Sequence, residues 1–201
     1  MNQGPIASSL DPIGQVVWIL ILFLFQTLWF ILPAWFANAS PAIVGGGPPI
    51  DGGRVLRDGN RLFGDGKTWR GLILGVAIGT LVGLGQAIIS PFLVTLGLFP
   101  FLVYEHLILL MAIRAFTLSF GALLGDLIGS FTKRRLGIPR GEVFWGVDQL
   151  GFLVVGFLLT CIIPITLLYL PAMLFLLPVT FAIHVITNLI WYALGQKETP
   201  F

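Results

Sequence analysis

Residues 13–36 of this sequence read IGQVVWILILFLFQTLWFILPAWF, and none of these side chains is charged. A helix that crosses a bilayer needs about 20 consecutive apolar residues, so this stretch predicts a membrane span. The rest of the chain has the same character, because 57% of its 201 residues are hydrophobic and only 10% are charged. Soluble domains carry roughly 25% charged residues. The composition therefore excludes a soluble globular domain.

Five membrane-spanning helices account for the apolar residues of the chain. Three stretches are each long enough for one span, and a fourth, 150–194, is long enough for two and is divided by prolines. The predicted spans are residues 13–36, 71–90, 105–125, 150–168 and 172–194. We therefore expect one all-α integral membrane domain over residues 1–201.

The charged residues are concentrated in two of the connecting segments. Fifteen of the twenty lie within residues 51–70 and 126–148. Ten of the eleven Lys and Arg residues lie in loop 37–70, in loop 126–149 or after the last span. Since cytoplasmic segments of membrane proteins are enriched in Lys and Arg, we expect both loops and the C-terminus in the cytoplasm and the N-terminus outside.

Glycines recur at every fourth position in the second span and at the end of the third. They are Gly71, Gly75, Gly79 and Gly83 in the second, and Gly121, Gly125 and Gly129 in the third. Glycines with this spacing lie on one face of a helix and allow two helix backbones to approach closely. We therefore expect the second and third helices to pack tightly and to bring their charged ends together.

Loop 37–70 combines glycines with aspartates and cations. Glycine lets backbone N–H groups approach a phosphate, Lys or Arg neutralises the phosphate, and Asp can bind Mg²⁺. The loop therefore predicts part of a nucleotide and metal site. Its candidate substrate-binding residues are Asp58, Arg61, Asp65, Lys67, Thr68 and Arg70. A P-loop is excluded, because Arg61 stands where that motif needs its first glycine.

Loop 126–149 begins where the third helix leaves the membrane. Helical spacing places Asp126, Ser130 and Lys133 on one face, so a carboxylate, a hydroxyl and an ammonium group converge there. Asp148 comes just before the fourth helix, which is the antiparallel neighbour of the third. We therefore expect Asp126 and Asp148 to meet and bind Mg²⁺. Candidate phosphate-binding residues in this loop are Ser130, Lys133, Arg134, Arg135 and Arg140.

Both loops resemble those of the archaeal CDP-archaeol synthases. The second loop reads Gly125-Asp126-x3-Ser130-Phe131-x-Lys133-Arg134-Arg135, followed by Arg140-Gly141-Glu142 and Asp148-Gln149. The first contains Pro49-Ile50-Asp51, Asp58-Gly59-x-Arg61 and, from residue 64 to residue 71, Gly-Asp-Gly-Lys-Thr-Trp-Arg-Gly. The resemblance covers about residues 45–152, and the bacterial CDP-diacylglycerol synthases are similar at a greater distance.

The resemblance implies a nucleotidyltransferase that uses CTP and Mg²⁺. Its lipid substrate would be an unsaturated prenylated glycerol phosphate, 2,3-di-O-geranylgeranylglycerol 1-phosphate, and its products CDP-archaeol and pyrophosphate. Asp126 and Asp148 match the metal-binding positions of the family, and the resemblance implies catalytic roles for them and for Lys133. The distant bacterial motif has a further aspartate where this chain has Gly151.

Three alternatives remain at this point: a CTP-dependent lipid kinase, a CDP-alcohol phosphotransferase and a small transporter. The phosphotransferase signature has Ala-Arg after Asp-Gly, whereas Asp58-Gly59 is followed here by Asn60-Arg61. A transporter should keep polar groups near the middle of the membrane, and here most charges gather at one surface. Arg114 is an exception inside a span, and either the lipid phosphate or a group within the bundle could be its partner. Neither nucleic-acid binding nor a protein partner is indicated.

Overall fold

The computed structural model describes residues 9–98, 108–139, 142–163 and 170–195, and the regular structure of these ranges is helical. The helices are α1 (Pro12–Ala39), the short α2 (Pro41–Val44), α3 (Trp69–Thr95), α4 (Ile108–Arg135), α5 (Val147–Thr160) and α6 (Leu170–Ala193). Four of them, α1, α3, α4 and α6, are long and apolar enough to cross a membrane, and α5 is a shorter apolar helix. The predicted all-α membrane fold is confirmed.

The glycine face of α3 packs directly against α1 and α4. A Cβ atom placed on Gly79 would lie 2.3 Å from Ser119 Oγ of α4 and 2.5 Å from the carbonyl oxygen of Pro33 in α1. A Cβ atom on Gly83 would lie 2.0 Å from the Cβ of Ala115 in α4. No side chain larger than hydrogen fits at these positions without displacing a neighbour, so the expected tight packing of the second and third long helices is confirmed.

The glycines of α4 face a different neighbour, α5. A Cβ atom on Gly121 would lie 2.7 Å from the Cα of Gly156, and one on Gly125 would lie 2.4 Å from the carbonyl oxygen of Gly151. Contact between α4 and α5 is therefore a backbone-to-backbone contact. Gly151, where the bacterial motif has an aspartate, takes part in it.

A proline inside α1 explains a chain of buried polar side chains. Pro33 has no N–H group, so the carbonyl of Trp29 loses its usual helical partner. Gln86 of α3 donates a hydrogen bond from Nε2 to that carbonyl oxygen. Arg114 of α4 donates in turn to Gln86 Oε1 over 3.4 Å. Side chains thus satisfy a backbone group in a region that offers no water.

Arg114 belongs to this packing rather than to the charged end of the bundle. It is buried, and its guanidinium carbon lies 5.0 Å from the ring centre of Phe30. It precedes Asp126 by twelve residues, which is about 18 Å along α4. Of the two partners left open for Arg114, the structure favours groups within the bundle.

The position of Asp148 differs from the prediction. The fourth apolar helix, α5, begins at Val147 rather than near residue 150, and it ends at Thr160 rather than near residue 168. Asp148 therefore lies in the first turn of α5, where free amide groups and the helix dipole favour a carboxylate. Residues 105–107 and 164–168 of the predicted spans lie outside the described residues.

Replacing Gly83 by alanine should destabilise the bundle, because the new Cβ would collide with Ala115. Overpacking of this kind usually lowers the free energy of unfolding by about 1–3 kcal/mol. A Cβ atom on Gly85 of the same helix would have no neighbouring atom within 4 Å, so Gly85→Ala is the matched control. Thermal unfolding in detergent should give a lower Tm for Gly83→Ala alone, and equal Tm values for both variants would contradict the close packing.

A charged cavity at one end of the helix bundle

A cavity of about 530 Å³ lies where the two charged loops meet. Its volume is within the range of roughly 300–1,000 Å³ that is usual for small-molecule sites. Its walls come from the loop before α3, from the last turns of α4 and from the start of α5. Eight of the predicted site residues line it: Arg61, Asp65, Lys67, Asp126, Ser130, Lys133, Arg134 and Asp148.

Each of the two predicted metal ligands is paired with a lysine. Lys67 Nζ lies 2.6 Å from Asp126 Oδ2, and Lys133 Nζ lies 2.8 Å from Asp148 Oδ2. The first pair joins the loop before α3 to α4, and the second joins α4 to α5. All four side chains keep between 12% and 34% of their surface exposed, so they remain accessible from the cavity.

Additional hydrogen bonds orient the second pair. Asp148 Oδ2 also accepts a hydrogen bond from the amide of Phe144 over 2.9 Å. Lys133 Nζ donates to the carbonyl oxygen of Glu142 as well. Gln149 caps the start of α5, because its Oε1 accepts a hydrogen bond from the amide of Gly146 over 2.7 Å. The segment between α4 and α5 therefore holds Asp148 toward the cavity.

The donor set of the cavity suits Mg²⁺ bound together with a phosphate ligand. In the described ranges, no group of three or more His, Cys, Asp or Glu side chains could hold a metal ion by itself. Mg²⁺ is commonly bound by one or two carboxylates, with water and substrate phosphates completing its octahedral shell. Asp126 and Asp148 can supply the two carboxylates, and Ser130 adds a hydroxyl oxygen to the same wall.

Asp51 organises the loop that forms one wall of the cavity. Its side chain is fully buried. Its carboxylate accepts hydrogen bonds from Arg61 Nη2 (2.6 Å) and from the amides of Gly53 (3.1 Å), Phe63 (3.0 Å) and Gly64 (3.0 Å). The Arg61 guanidinium, helped by these amides, holds the pKa of Asp51 well below its usual value.

The candidate residues predicted from the sequence do not include Asp51, although a signal for it is present. Asp51 is followed by Gly52 and Gly53, and both glycines have positive φ angles. An aspartate before such glycines is typical of a turn in which its side chain binds the backbone two residues later. The long-range amides of Phe63 and Gly64 could not be anticipated from this local pattern.

Arg135 holds the same loop against the end of α4. Its Nη1 donates to Asp58 Oδ1 over 2.9 Å, and its Nη2 donates to the carbonyl oxygens of Arg61 (2.6 Å) and Asn60 (3.3 Å). Both Asp58 and Arg135 are predicted to bind substrate, but neither is among the residues that line the cavity. Their observed contacts give them a role in positioning the loop.

Three further predicted residues also lie away from the cavity wall or outside the described ranges. The buried Thr68 caps α3, because its Oγ1 accepts a hydrogen bond from the amide of Gly71 over 3.1 Å. Arg70 is exposed in the first turn of α3 and is not among the lining residues. Arg140 lies outside the described residues.

A smaller cleft adjoins the charged cavity on the side of α3 and α4. Lys67 and Asp126 border both spaces. The cleft is otherwise bordered mainly by apolar side chains, which include Leu72, Leu123 and Leu127. The Lys67–Asp126 pair therefore lies at the boundary between a polar and an apolar space.

Known proteins resemble the chain over most of its length. The family model described as CarS-like CDP-archaeol synthase matches residues 19–201, which include both charged loops. CDP-archaeol synthases of Thermococcus onnurineus and Thermococcus kodakarensis are each 51% identical to the chain, over 89% of its length and over 97% and 96% of theirs. That of Methanocaldococcus jannaschii is 46% identical over 87% of this chain and 96% of its own.

A solved structure has the same fold. It is described as an intramembrane enzyme for archaeal membrane lipids biosynthesis, and it shares 34% sequence identity with this chain. The TM-score is 0.67, and the match covers 82% of this chain and 94% of the solved one.

Asp51→Asn should loosen the loop wall, because hydrogen bonds to a charged group contribute about 1.5–3 kcal/mol. Hydrogen–deuterium exchange at the amides of Phe63 and Gly64 should become about ten- to a hundredfold faster. The depressed pKa of Asp51 means that its stabilisation is complete above the unfolded value of 3.8 and declines as the pH falls below it. Protection in the wild type should therefore persist at neutral pH.

Asp65→Asn is the matched control, since Asp65 shares the partner Arg61 but its side chain is 66% exposed. Exposed ion pairs contribute little, so exchange at the same amides should change by less than about fivefold. Unchanged exchange in Asp51→Asn would contradict the role of Asp51.

Proposed function

Because the chain belongs to the CDP-archaeol synthase family, we propose that its charged cavity is the active site in which CMP passes from CTP to an archaeal lipid phosphate. The chain is a CTP-dependent nucleotidyltransferase of lipid biosynthesis and a multi-pass membrane protein. The observation that carries the proposed site is the convergence of Lys67, Asp126, Lys133 and Asp148 in one cavity. A lipid kinase, a CDP-alcohol phosphotransferase and a transporter are not favoured by the family match.

In the proposed reaction, an oxygen of the lipid phosphate attacks the α-phosphorus of CTP. A new P–O bond forms, the bond between the α-phosphorus and the bridging oxygen breaks, and pyrophosphate leaves with that electron pair. Catalysis of phosphoryl transfer consists mainly of positioning and charge neutralisation. The nucleophile is already an anion, so no general base is needed. Consistent with this, no histidine occurs among the described residues that line the cavity.

The cations of the cavity are the proposed ligands of the triphosphate. Lys67, Lys133 and Arg134 reach the cavity from two sides, and Gly64 and Gly66 leave its wall open for close approach of phosphate oxygens. Asp126 and Asp148, with the hydroxyl of Ser130 nearby, would hold Mg²⁺. When bound, Mg²⁺ would neutralise part of the charge that develops on the phosphate oxygens.

The lipid phosphate is proposed to meet CTP at the Lys67–Asp126 pair. That pair borders both the polar cavity and the apolar surface of the small cleft, so a lipid that lies against this surface would present its phosphate beside the nucleotide. The proposed substrate is 2,3-di-O-geranylgeranylglycerol 1-phosphate.

Enrichment of Lys and Arg in both loops supports a cytoplasmic cavity, with the N-terminus outside and the C-terminus in the cytoplasm.

Labelled CTP tests the proposed reaction directly. Purified protein with Mg²⁺ and a prenylated glycerol phosphate should transfer the α-phosphate label of CTP to lipid and release pyrophosphate. Lipid that carries only the γ-label would establish a kinase and contradict the proposal.

Asp126→Asn and Asp148→Asn should each lower turnover at least about a hundredfold, since each removes a carboxylate that would hold the metal ion needed to neutralise the reacting phosphates. Arg57→Gln is the control, because Arg57 is an exposed residue of the loop before α3 that does not line the cavity. Thermal unfolding should show that all three variants fold. Normal turnover in either aspartate variant would remove that residue from the proposed site.

A further inference from the structure

We propose that Lys67 and Lys133 exchange partners when the nucleotide binds. Each lysine leaves its carboxylate for a phosphate group, and the freed carboxylate turns to the metal. This inference rests on the proposed active site and adds a property to it: the site binds the metal and the nucleotide as a coupled pair.

The two lysine–carboxylate pairs are more accessible than the Asp51 network, and within the described ranges only the Lys133–Asp148 pair has additional hydrogen bonds, to Phe144 and Glu142. Neither Asp126 nor Asp148 is buried as Asp51 is, and their side chains keep 34% and 31% of their surface exposed. Asp51, in contrast, is fully buried and has three amide donors besides Arg61. Partly exposed pairs separate at a modest cost in free energy, whereas the Asp51 network does not.

The other cations of the cavity already have protein partners that they would keep. Arg61 bridges Asp51 and Asp65, and Arg134 donates to the carbonyl oxygen of Ile138. Asp65 shares Arg61 with Asp51. Lys67 and Lys133 are therefore the cations that can change partners without opening the loop.

The charges of the four groups explain why neither ligand should bind well alone. Together Lys67, Lys133, Asp126 and Asp148 carry no net charge. A triphosphate alone would draw the lysines away and leave two carboxylates without partners next to more negative charge. A metal ion alone would displace two ammonium groups from the carboxylates that neutralise them. When both arrive, every charge has a partner, which makes the two affinities reciprocally coupled.

A double-mutant cycle on nucleotide binding measures this exchange. CTP affinity is determined for the protein in lipid nanodiscs, in EDTA and without lipid substrate, so that no turnover occurs. Asp126→Asn should tighten metal-free CTP binding about fivefold, because Lys67 no longer has to leave a carboxylate. In the Lys67→Gln background the same substitution should give a clearly smaller gain, because it then relieves only the repulsion between an unpaired carboxylate and the triphosphate.

The crossed pair is the matched control. Lys133→Gln with Asp126→Asn removes the same charges from the same cavity but combines members of different pairs. In the Lys133→Gln background, Asp126→Asn should tighten metal-free CTP binding by the same factor as in the wild type. The reason is that groups that do not share a partner act additively. An equal gain in the Lys67→Gln background would show general charge repulsion and overturn the exchange, as would no gain in Asp126→Asn alone.

The second pair repeats the test if a variant of the first does not fold. Asp148→Asn should tighten metal-free CTP binding in the wild type and have a clearly smaller effect in Lys133→Gln. The binding cycle contains no lipid, so its result is independent of the α-label transfer assay. If the cycle shows no coupling but the α-label is still transferred, the proposed function stands and the exchange of partners does not. Failure of the wild type to bind CTP even with Mg²⁺ would overturn both.

Discussion

The close approach of α4 to α3 and to α5 is the constraint on which the cavity depends. Gly79 and Gly83 allow α4 to pack closely against α3. Gly121 and Gly125 likewise allow α5 to pack closely against α4. Each helix contact brings one lysine–carboxylate pair together, because Lys67 lies just before α3 and Asp148 lies at the start of α5. Helices held further apart would separate both lysines from their carboxylates and open the cavity.

The membrane environment explains why the chemistry is confined to one end of the bundle. Hydrocarbon offers no partners for polar groups, so backbone and side chains inside it must satisfy one another, as Gln86 does for the carbonyl of Trp29. Apart from Arg114, the charged groups that the structure describes accordingly lie in loops and near helix ends. An enzyme that joins a water-soluble nucleotide to a lipid needs such a boundary, and the polar cavity and apolar cleft meet there at Lys67 and Asp126.

Hydropathy and helical spacing were sufficient to predict the fold class and the face of α4 that carries Asp126, Ser130 and Lys133. These properties depend on residues close together in the sequence. The roles of Asp51 and Arg135 depend instead on the path of the loop before α3. Arg135 contacts Asp58 from 77 positions away, and no local pattern contains that information. The earlier start of α5 could not be predicted in the same way, because Val147 and Asp148 resemble the end of a charged loop.

The proposed function depends above all on Asp126 and Asp148 holding one divalent cation beneath a triphosphate. The most direct measurement is a crystal structure with CTP and Mn²⁺, in which anomalous scattering locates the metal. We expect a single strong anomalous peak about 2.1 Å from carboxylate oxygens of both aspartates and from phosphate oxygens of CTP. A peak that lies away from these two carboxylates, with CTP bound elsewhere on the protein, would contradict this assignment.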